Sequence, residues 1–219
     1  MTPLVETHSR PVLTRAGGLG ITRPTMYIYI LLFGFLTSVF TLSASEIPLD
    51  DATIVLGERV GPIEKGMTLF GLKTLLGAGK VKPTKIPGPE GTELEGVRLF
   101  TGTERELEIL LDEESQEKEI IDVRIIGKGW KFTNGLKLGM SIAEVEKANG
   151  KAYQVSGFDW DYGGYANFEG GKMEGIVSVR FSPTGEIDPS LSGDKQIPST
   201  DKKLRSAKVK VTEISVFFR

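Results

Sequence analysis

The chain has 219 residues, no Cys and a single His, which lies at position 8. This composition excludes disulfides and thiol chemistry, and beyond residue 8 it excludes Ser-His-Asp and Cys-His catalysis and His-ligated zinc. Removing the three Arg and one Glu that precede residue 46 leaves 24 basic and 28 acidic side chains, and a net charge of about −4 argues against nucleic acid as a partner.

An uncharged apolar run covers residues 26–42, with three Arg before it and three small residues, Ser-Ala-Ser, after it. This pattern is typical of a secretory signal. We therefore predict an N-terminal extension at residues 1–25, a cleaved signal at 26–45, and a periplasmic or secreted product. The alternative is an uncleaved anchor, because the run is at the lower edge of the roughly 17–25 residues that span a bilayer. Residues 26–42 would then be the only membrane contact.

Residues 63–77 and 136–150 share one pattern at a constant offset of 73, without a gap. In both, a Gly-Met pair precedes a hydroxyl residue, Thr68 or Ser141, which can accept from the free N–H groups of a first helical turn. Apolar residues then recur at helical spacing. Each copy is therefore predicted to form a short helix. Each helix is predicted to end at a Gly in the left-handed conformation, Gly77 and Gly150.

Strand-like runs follow each predicted helix. They cover residues 96–100, 107–111 and 120–126 after the first helix, and residues 152–155, 165–168, 176–181 and 208–218 after the second. In 120–126 and 176–181 apolar residues alternate with polar ones, which indicates one buried and one exposed face. The Gly- and Pro-containing segments 83–91 and 183–203 are interpreted as connections.

These elements predict an α+β fold of two tandem units, each a short helix packed on an antiparallel β-sheet. The first unit is placed at residues 46–128 and the second at 129–219. Trp130, next to the boundary, is expected to pack in the core between the units or against the linker.

A helix bounded by Gly-Met-Thr/Ser and Gly, followed by antiparallel strands and repeated in tandem, resembles the β-lactamase-inhibitor-protein fold. As a single copy it resembles the small outer-membrane-assembly lipoproteins of Gram-negative bacteria. The chain is also similar, over residues 58–63 and 157–164, to a group of uncharacterised exported bacterial proteins. These resemblances imply export and two neighbouring sheets that form a curved surface, and they imply no activity.

Residues 157–171, called the aromatic loop below, contain five aromatic and three acidic residues. The segment is interpreted either as a core hairpin or as a platform for carbohydrate or peptide. In a regular strand, Trp160 and Tyr162 would share one face and Asp159 and Asp161 the other, so both pairs are exposed only if the segment leaves the sheet. We expect Trp160 to pack in the core. The candidate binding residues are Phe158, Asp159, Trp160, Asp161, Tyr162 and Tyr165.

The sequence therefore predicts a non-enzymatic, exported binding or envelope-associated module, with no catalytic residue, metal or cofactor. Its expected partner is another envelope or extracellular protein. Two alternatives stay open. One is a glycan-acting enzyme that uses a carboxylate pair among Asp159, Asp161 and Glu169, and the other is a structural envelope protein held by an uncleaved helix.

Overall fold

Three short α-helices and thirteen strands lie in residues 47–218, the part of the chain that the computed structural model describes. In chain order they are β1 (Thr53–Val55), β2 (Arg59–Val60), β3 (Ile63–Glu64), α1 (Leu69–Leu76), β4 (Pro83–Pro87), β5 (Glu93–Leu99), β6 (Leu107–Leu111), β7 (Ile120–Ile125), β8 (Lys131–Phe132), α2 (Ile142–Asn149), β9 (Gln154–Ser156), β10 (Ala166–Asn167), β11 (Val177–Pro183), β12 (Gln196–Pro198), α3 (Lys202–Ser206) and β13 (Val209–Phe217).

The two helices of the repeat begin where the sequence predicts. Before α1, the Thr68 Oγ1 accepts a hydrogen bond from the Gly71 backbone N–H at 3.2 Å. Before α2, the backbone N–H and the hydroxyl of Ser141 both donate to the Glu144 carboxylate, at 2.8 and 2.7 Å. These two hydrogen bonds lower the pKa of Glu144. The Thr68 hydroxyl thus caps α1 as predicted, whereas the Ser141 hydroxyl donates to the Glu144 side chain at the start of α2.

The two helix ends differ from each other, which corrects one expectation. Gly150 has the predicted left-handed conformation, with φ 76° and ψ 3°. Gly77 instead has φ 90° and ψ 130°, because the chain turns directly into a short 3₁₀ turn at Ala78–Lys80. That backbone region also favours glycine, because a positive φ is strained for a residue with a Cβ.

Replacing Thr68 with alanine is expected to lower the free energy of unfolding by about 1 kcal/mol, because the first turn of α1 loses its cap. Urea unfolding of the variant measures this loss. Thr101→Ala is the matched control, since Thr101 is exposed and forms no comparable contact. Equal stability of the two variants would mean that the Thr68 hydroxyl does not cap α1.

A six-stranded antiparallel sheet forms the centre of the fold, in the order β11–β13–β7–β6–β5–β4. The strands β13 and β7, second and third in this order, pair with Val123 opposite Val216. A second sheet, β10–β9–β12, meets the first where Tyr165 pairs with Arg180 of β11. The third sheet, β3–β2–β1–β8, contains one parallel pair, β1 with β8. The predicted α+β class, with short helices packed on antiparallel sheets, is confirmed.

The two faces of the central sheet have opposite chemistry. One face joins the hydrophobic core, which includes Leu72 of α1 and Val145 of α2. The predicted alternation is confirmed on this face, since Val123 of β7 and Val179 of β11 are buried. Strand geometry sends the residues between them to the opposite face. That face is polar, and it carries the groove described below.

Two segments interpreted as connections contain regular structure. Residues 83–87 form the edge strand β4, which pairs with β5 alone. An edge strand tolerates proline because one side of its backbone needs no ladder partner. Residues 183–203 include β12 and the start of α3, and Leu191 and Ile197 of this segment are buried. Isolated apolar residues of this kind give no periodic signal in a sequence.

Trp130 is buried in the core, as expected, and the Arg105 guanidinium lies 5.0 Å from the centre of its ring.

The described residues belong to one compact unit, and the boundary placed after residue 128 stays a prediction. The predicted extension and signal, residues 1–45, lie outside the described part of the chain. Within residues 47–218 we find no helix with the length and apolar character needed to cross a membrane.

Candidate functional site

The polar face of the central sheet forms the floor of a groove of about 930 Å³. Three adjacent strands, β7, β13 and β11, supply this floor. The antiparallel register places Ser178 opposite Ser215, and Ser215 opposite Arg124. Six polar residues line it: Asp122, Arg124, Ser178, Arg180, Glu213 and Ser215.

Two segments from different parts of the chain form the walls of the groove. One wall is the aromatic loop, which contributes Trp160, Asp161, Tyr162 and Tyr165. The other is the β4–β5 turn, residues 88–92, with Pro87 before it. The groove therefore combines aromatic rings with both signs of charge, and of these groups the aromatic residues and Arg are the ones enriched at protein interfaces.

A hydrogen bond joins the two walls. The Tyr162 hydroxyl donates to Glu90 Oε1 at 2.9 Å. Because the Glu90 carboxylate accepts this hydrogen bond, the pKa of Tyr162 is raised. The contact links the aromatic loop to the β4–β5 turn, and it holds Tyr162 at the rim, where 46% of the residue is exposed.

Arg180 of β11 anchors the aromatic loop to the floor. Its Nε donates to the Gly163 carbonyl at 2.9 Å, and its Nη1 pairs with Glu213 Oε1 at 3.2 Å. The guanidinium also lies 5.0 Å from the centre of the Tyr165 ring. Burial, followed by the nearby Glu213 carboxylate, raises the pKa of Tyr165. One arginine thus fixes both the backbone of the loop and an aromatic wall residue.

Arg124 connects the floor to the opposite wall. Its Nη1 donates to the Pro87 carbonyl at 2.6 Å, and it lies 3.8 Å from Glu108 Oε2. Glu108 is in turn paired with Arg98 at 2.9 Å. These charges alternate across neighbouring strands, an arrangement that stabilises a sheet through cross-strand pairs.

The indole of Trp160 is held by the loop itself. Its Nε1–H donates to the Gly157 carbonyl at 2.7 Å. Its ring meets that of Tyr162 edge to face, with 5.5 Å between the ring centres, a geometry that aromatic pairs favour. Trp160 is half-buried and lines the groove, so the expectation that it packs in the core is corrected. The reason is that residues 159–164 form bends and turns rather than a strand.

The six candidate residues separate into two groups. Trp160, Asp161, Tyr162 and Tyr165 line the groove. Phe158 is instead a core residue, with 2% of its surface exposed, and Asp159 accepts a hydrogen bond from the Ser192 hydroxyl outside the groove. Of the three acids considered for glycan hydrolysis, Asp159, Asp161 and Glu169, the structure brings only Asp161 to the groove.

Sequence reasoning did not identify the charged residues Glu90, Arg124, Arg180 and Glu213 as site residues. A signal existed for Arg124 and Arg180, because strand alternation places them on the polar face. Nothing in the sequence indicated that β7 and β11 lie on either side of β13. Within residues 47–218, no group of three or more potential ligand residues is arranged to hold a metal ion.

Comparison with known proteins gives a structural likeness alone. No protein-family model matches the chain, and the comparison with curated proteins finds no match. The chain is similar to the crystal structure of the uncharacterised protein yfeY from Escherichia coli, with 12% identity, a TM-score of 0.41, and coverage of 75% of this chain and 99% of that chain. At this level the likeness carries no activity or partner over to the chain. The resemblance to the β-lactamase-inhibitor-protein fold stays a prediction.

Proposed function

We propose that the chain is an exported, non-enzymatic binding module of the cell envelope, and that it takes a segment of another protein into the groove. The observation that carries this proposal is the groove itself, walled by Trp160 and Tyr162. Its volume of about 930 Å³ lies within the roughly 300–1,000 Å³ of typical binding clefts.

The state of the aromatic side chains supports binding. Trp160 and Tyr162 present ring surface to the groove while their polar atoms are already hydrogen-bonded within the chain. Rings held in this way lose little conformational freedom when a partner arrives. Aromatic anchors of this type often supply most of the energy of an interface.

The state of the carboxylates favours binding over glycan hydrolysis. A glycosidase needs two carboxyl groups that face one substrate bond. Of the four carboxylates in the groove, Glu213 is paired with Arg180 and Glu90 accepts a hydrogen bond from Tyr162. Both carboxylates thus hold the walls in place, which is a structural role.

The test is the double substitution of Trp160 and Tyr162 by alanine in the full-length chain. We expect a stability loss of at most about 2 kcal/mol, below the 3–5 kcal/mol typical of a core aromatic. Capture of a partner from an envelope extract of the source organism should fall by about tenfold or more, as for an interface anchor. Quantitative mass spectrometry of the captured proteins measures this fall.

Phe70→Ala serves as the control, because Phe70 is an exposed aromatic outside the groove, and it should leave capture unchanged. Equal capture by the double variant would contradict the proposal. Hydrolysis of an oligosaccharide that is lost in Asp161→Asn would instead favour the glycan-acting enzyme.

A further inference from the structure

We propose that the groove selects its partner segment through a basic side chain, lysine or arginine, bound against the Trp160–Tyr162 pair and the carboxylate of Asp161. This inference rests on the proposed function and adds the chemistry of the partner. It follows from three properties of the described residues, namely the charge of the groove, the orientation of the two rings and the state of Asp161.

The groove carries more negative than positive charge. Four carboxylates and two guanidiniums line it, which gives a formal charge of −2. Both guanidiniums are already paired, Arg180 with Glu213 and Arg124 with Glu108. The formal charge of −2 already includes both guanidiniums, so the lining stays net negative. A cleft with a net negative charge attracts positively charged groups.

The two rings have no free hydrogen-bond donor to offer a ligand. The Trp160 N–H and the Tyr162 O–H are both used in hydrogen bonds within the chain. A ligand that needs these donors, such as a sugar hydroxyl, would first have to break those bonds. A cation needs no donor, since it is attracted to the negative face of an aromatic ring within about 6 Å of its centre.

Asp161 is the carboxylate available to complete this site. It is exposed at the groove between the two aromatic residues. Among residues 47–218, its side chain is in no ion pair or hydrogen bond; only its backbone carbonyl accepts, from Arg180 Nη2 at 3.5 Å. A partner cation can therefore approach the ring surface and the carboxylate together.

The groove already contains this arrangement once, formed within the chain. The Arg180 guanidinium lies 5.0 Å from the centre of the Tyr165 ring and is paired with Glu213. The proposed site repeats the combination of ring, cation and carboxylate, with the cation supplied by the partner.

The experiment uses the full-length chain and three capped pentapeptides, Gly-Ser-X-Ser-Gly, in which X is arginine, its neutral isostere citrulline, or glutamate. Two-dimensional ¹H–¹⁵N NMR follows the indole signal of Trp160, which Trp160→Phe identifies among the two Trp. We expect the arginine peptide to shift this signal and the amides of residues 160–165. Asp161→Asn should weaken the arginine peptide about fivefold or more.

Glu117→Gln is the matched control, because it removes the same charge from an exposed site outside the groove, and it should leave binding unchanged. Equal binding of the citrulline or glutamate peptide would overturn the cation inference and leave the groove as a peptide site. Failure of all three peptides, with shifts produced by chitotriose, would overturn both the inference and the proposed protein partner. Failure of every probe would overturn the cation inference as well.

Discussion

Replacement of Phe181 by alanine is expected to lower the free energy of unfolding by about 3–5 kcal/mol. Phe181 lies on the buried face of β11 with 1% of its surface exposed. Its ring stacks on Tyr153, with 6.3 Å between centres and 13° between planes. Truncation would remove this packing and leave a cavity that the surrounding strands cannot fill without moving. The midpoint and slope of urea unfolding measure the loss.

The control is Phe70→Ala, which removes the same atoms from a residue that is 78% exposed. We expect a change within about 0.5 kcal/mol, as is usual for a surface substitution. An equally small loss of stability in Phe181→Ala and Phe70→Ala would mean that the Phe181 side of the sheet is not a packed core. The comparison therefore tests the assignment of the two sheet faces, on which the position of the groove depends.

The parts of the fold that could be predicted are those determined by local chemistry. Thr68 and Ser141 mark the starts of α1 and α2 because a cap acts within three residues of itself. The alternation of apolar and polar residues in β7 and β11 is local in the same sense. Strand geometry alone places the neighbours Val123 and Arg124 on opposite faces of the sheet. These signals are complete in short stretches of sequence, so they needed no knowledge of the rest of the chain.

The groove could not be predicted because it depends on which strands are neighbours. Arg124 and Ser215 are far apart in the sequence, and only the pairing of β7 with β13 brings them together. The same holds for Glu90 and Tyr162, which meet across the groove. The aromatic loop was recognised as unusual from its composition, whereas its opposite wall gave no compositional signal.

Trp160 illustrates a third limit. The expectation of a core position assumed that residues 159–162 continue a strand. Gly157, Gly163 and Gly164 allow the backbone to turn at this point. Because glycine is compatible with a strand as well, their presence does not predict which of the two forms. The decision comes from tertiary contacts, in particular the hydrogen bond from Arg180 to the Gly163 carbonyl.

Replacement of Gly164 by alanine is expected to destabilise the protein by roughly 2–5 kcal/mol, and to disturb the groove at the same time. Gly164 has a φ of +81°, which is unfavourable for a residue with a Cβ. A Cβ at this position would also lie 2.0 Å from the Phe181 carbonyl oxygen, a backbone atom that cannot rotate away.

The backbone of Gly164 makes this collision costly, because it joins the aromatic loop to two strands. Its N–H donates to the Ser156 carbonyl at 3.0 Å, and its carbonyl accepts from the Phe181 N–H at 2.8 Å. Relief of the clash requires β11 and the loop to separate, which weakens the hydrogen bond from the Phe181 N–H and moves Trp160 and Tyr162.

Gly185→Ala is the control, since a Cβ there meets nothing within 4 Å. Urea unfolding and the Trp160 indole signal should both change in Gly164→Ala and stay unchanged in Gly185→Ala. Wild-type stability in Gly164→Ala would mean that the loop does not approach β11 this closely, and the groove would then lose its aromatic wall.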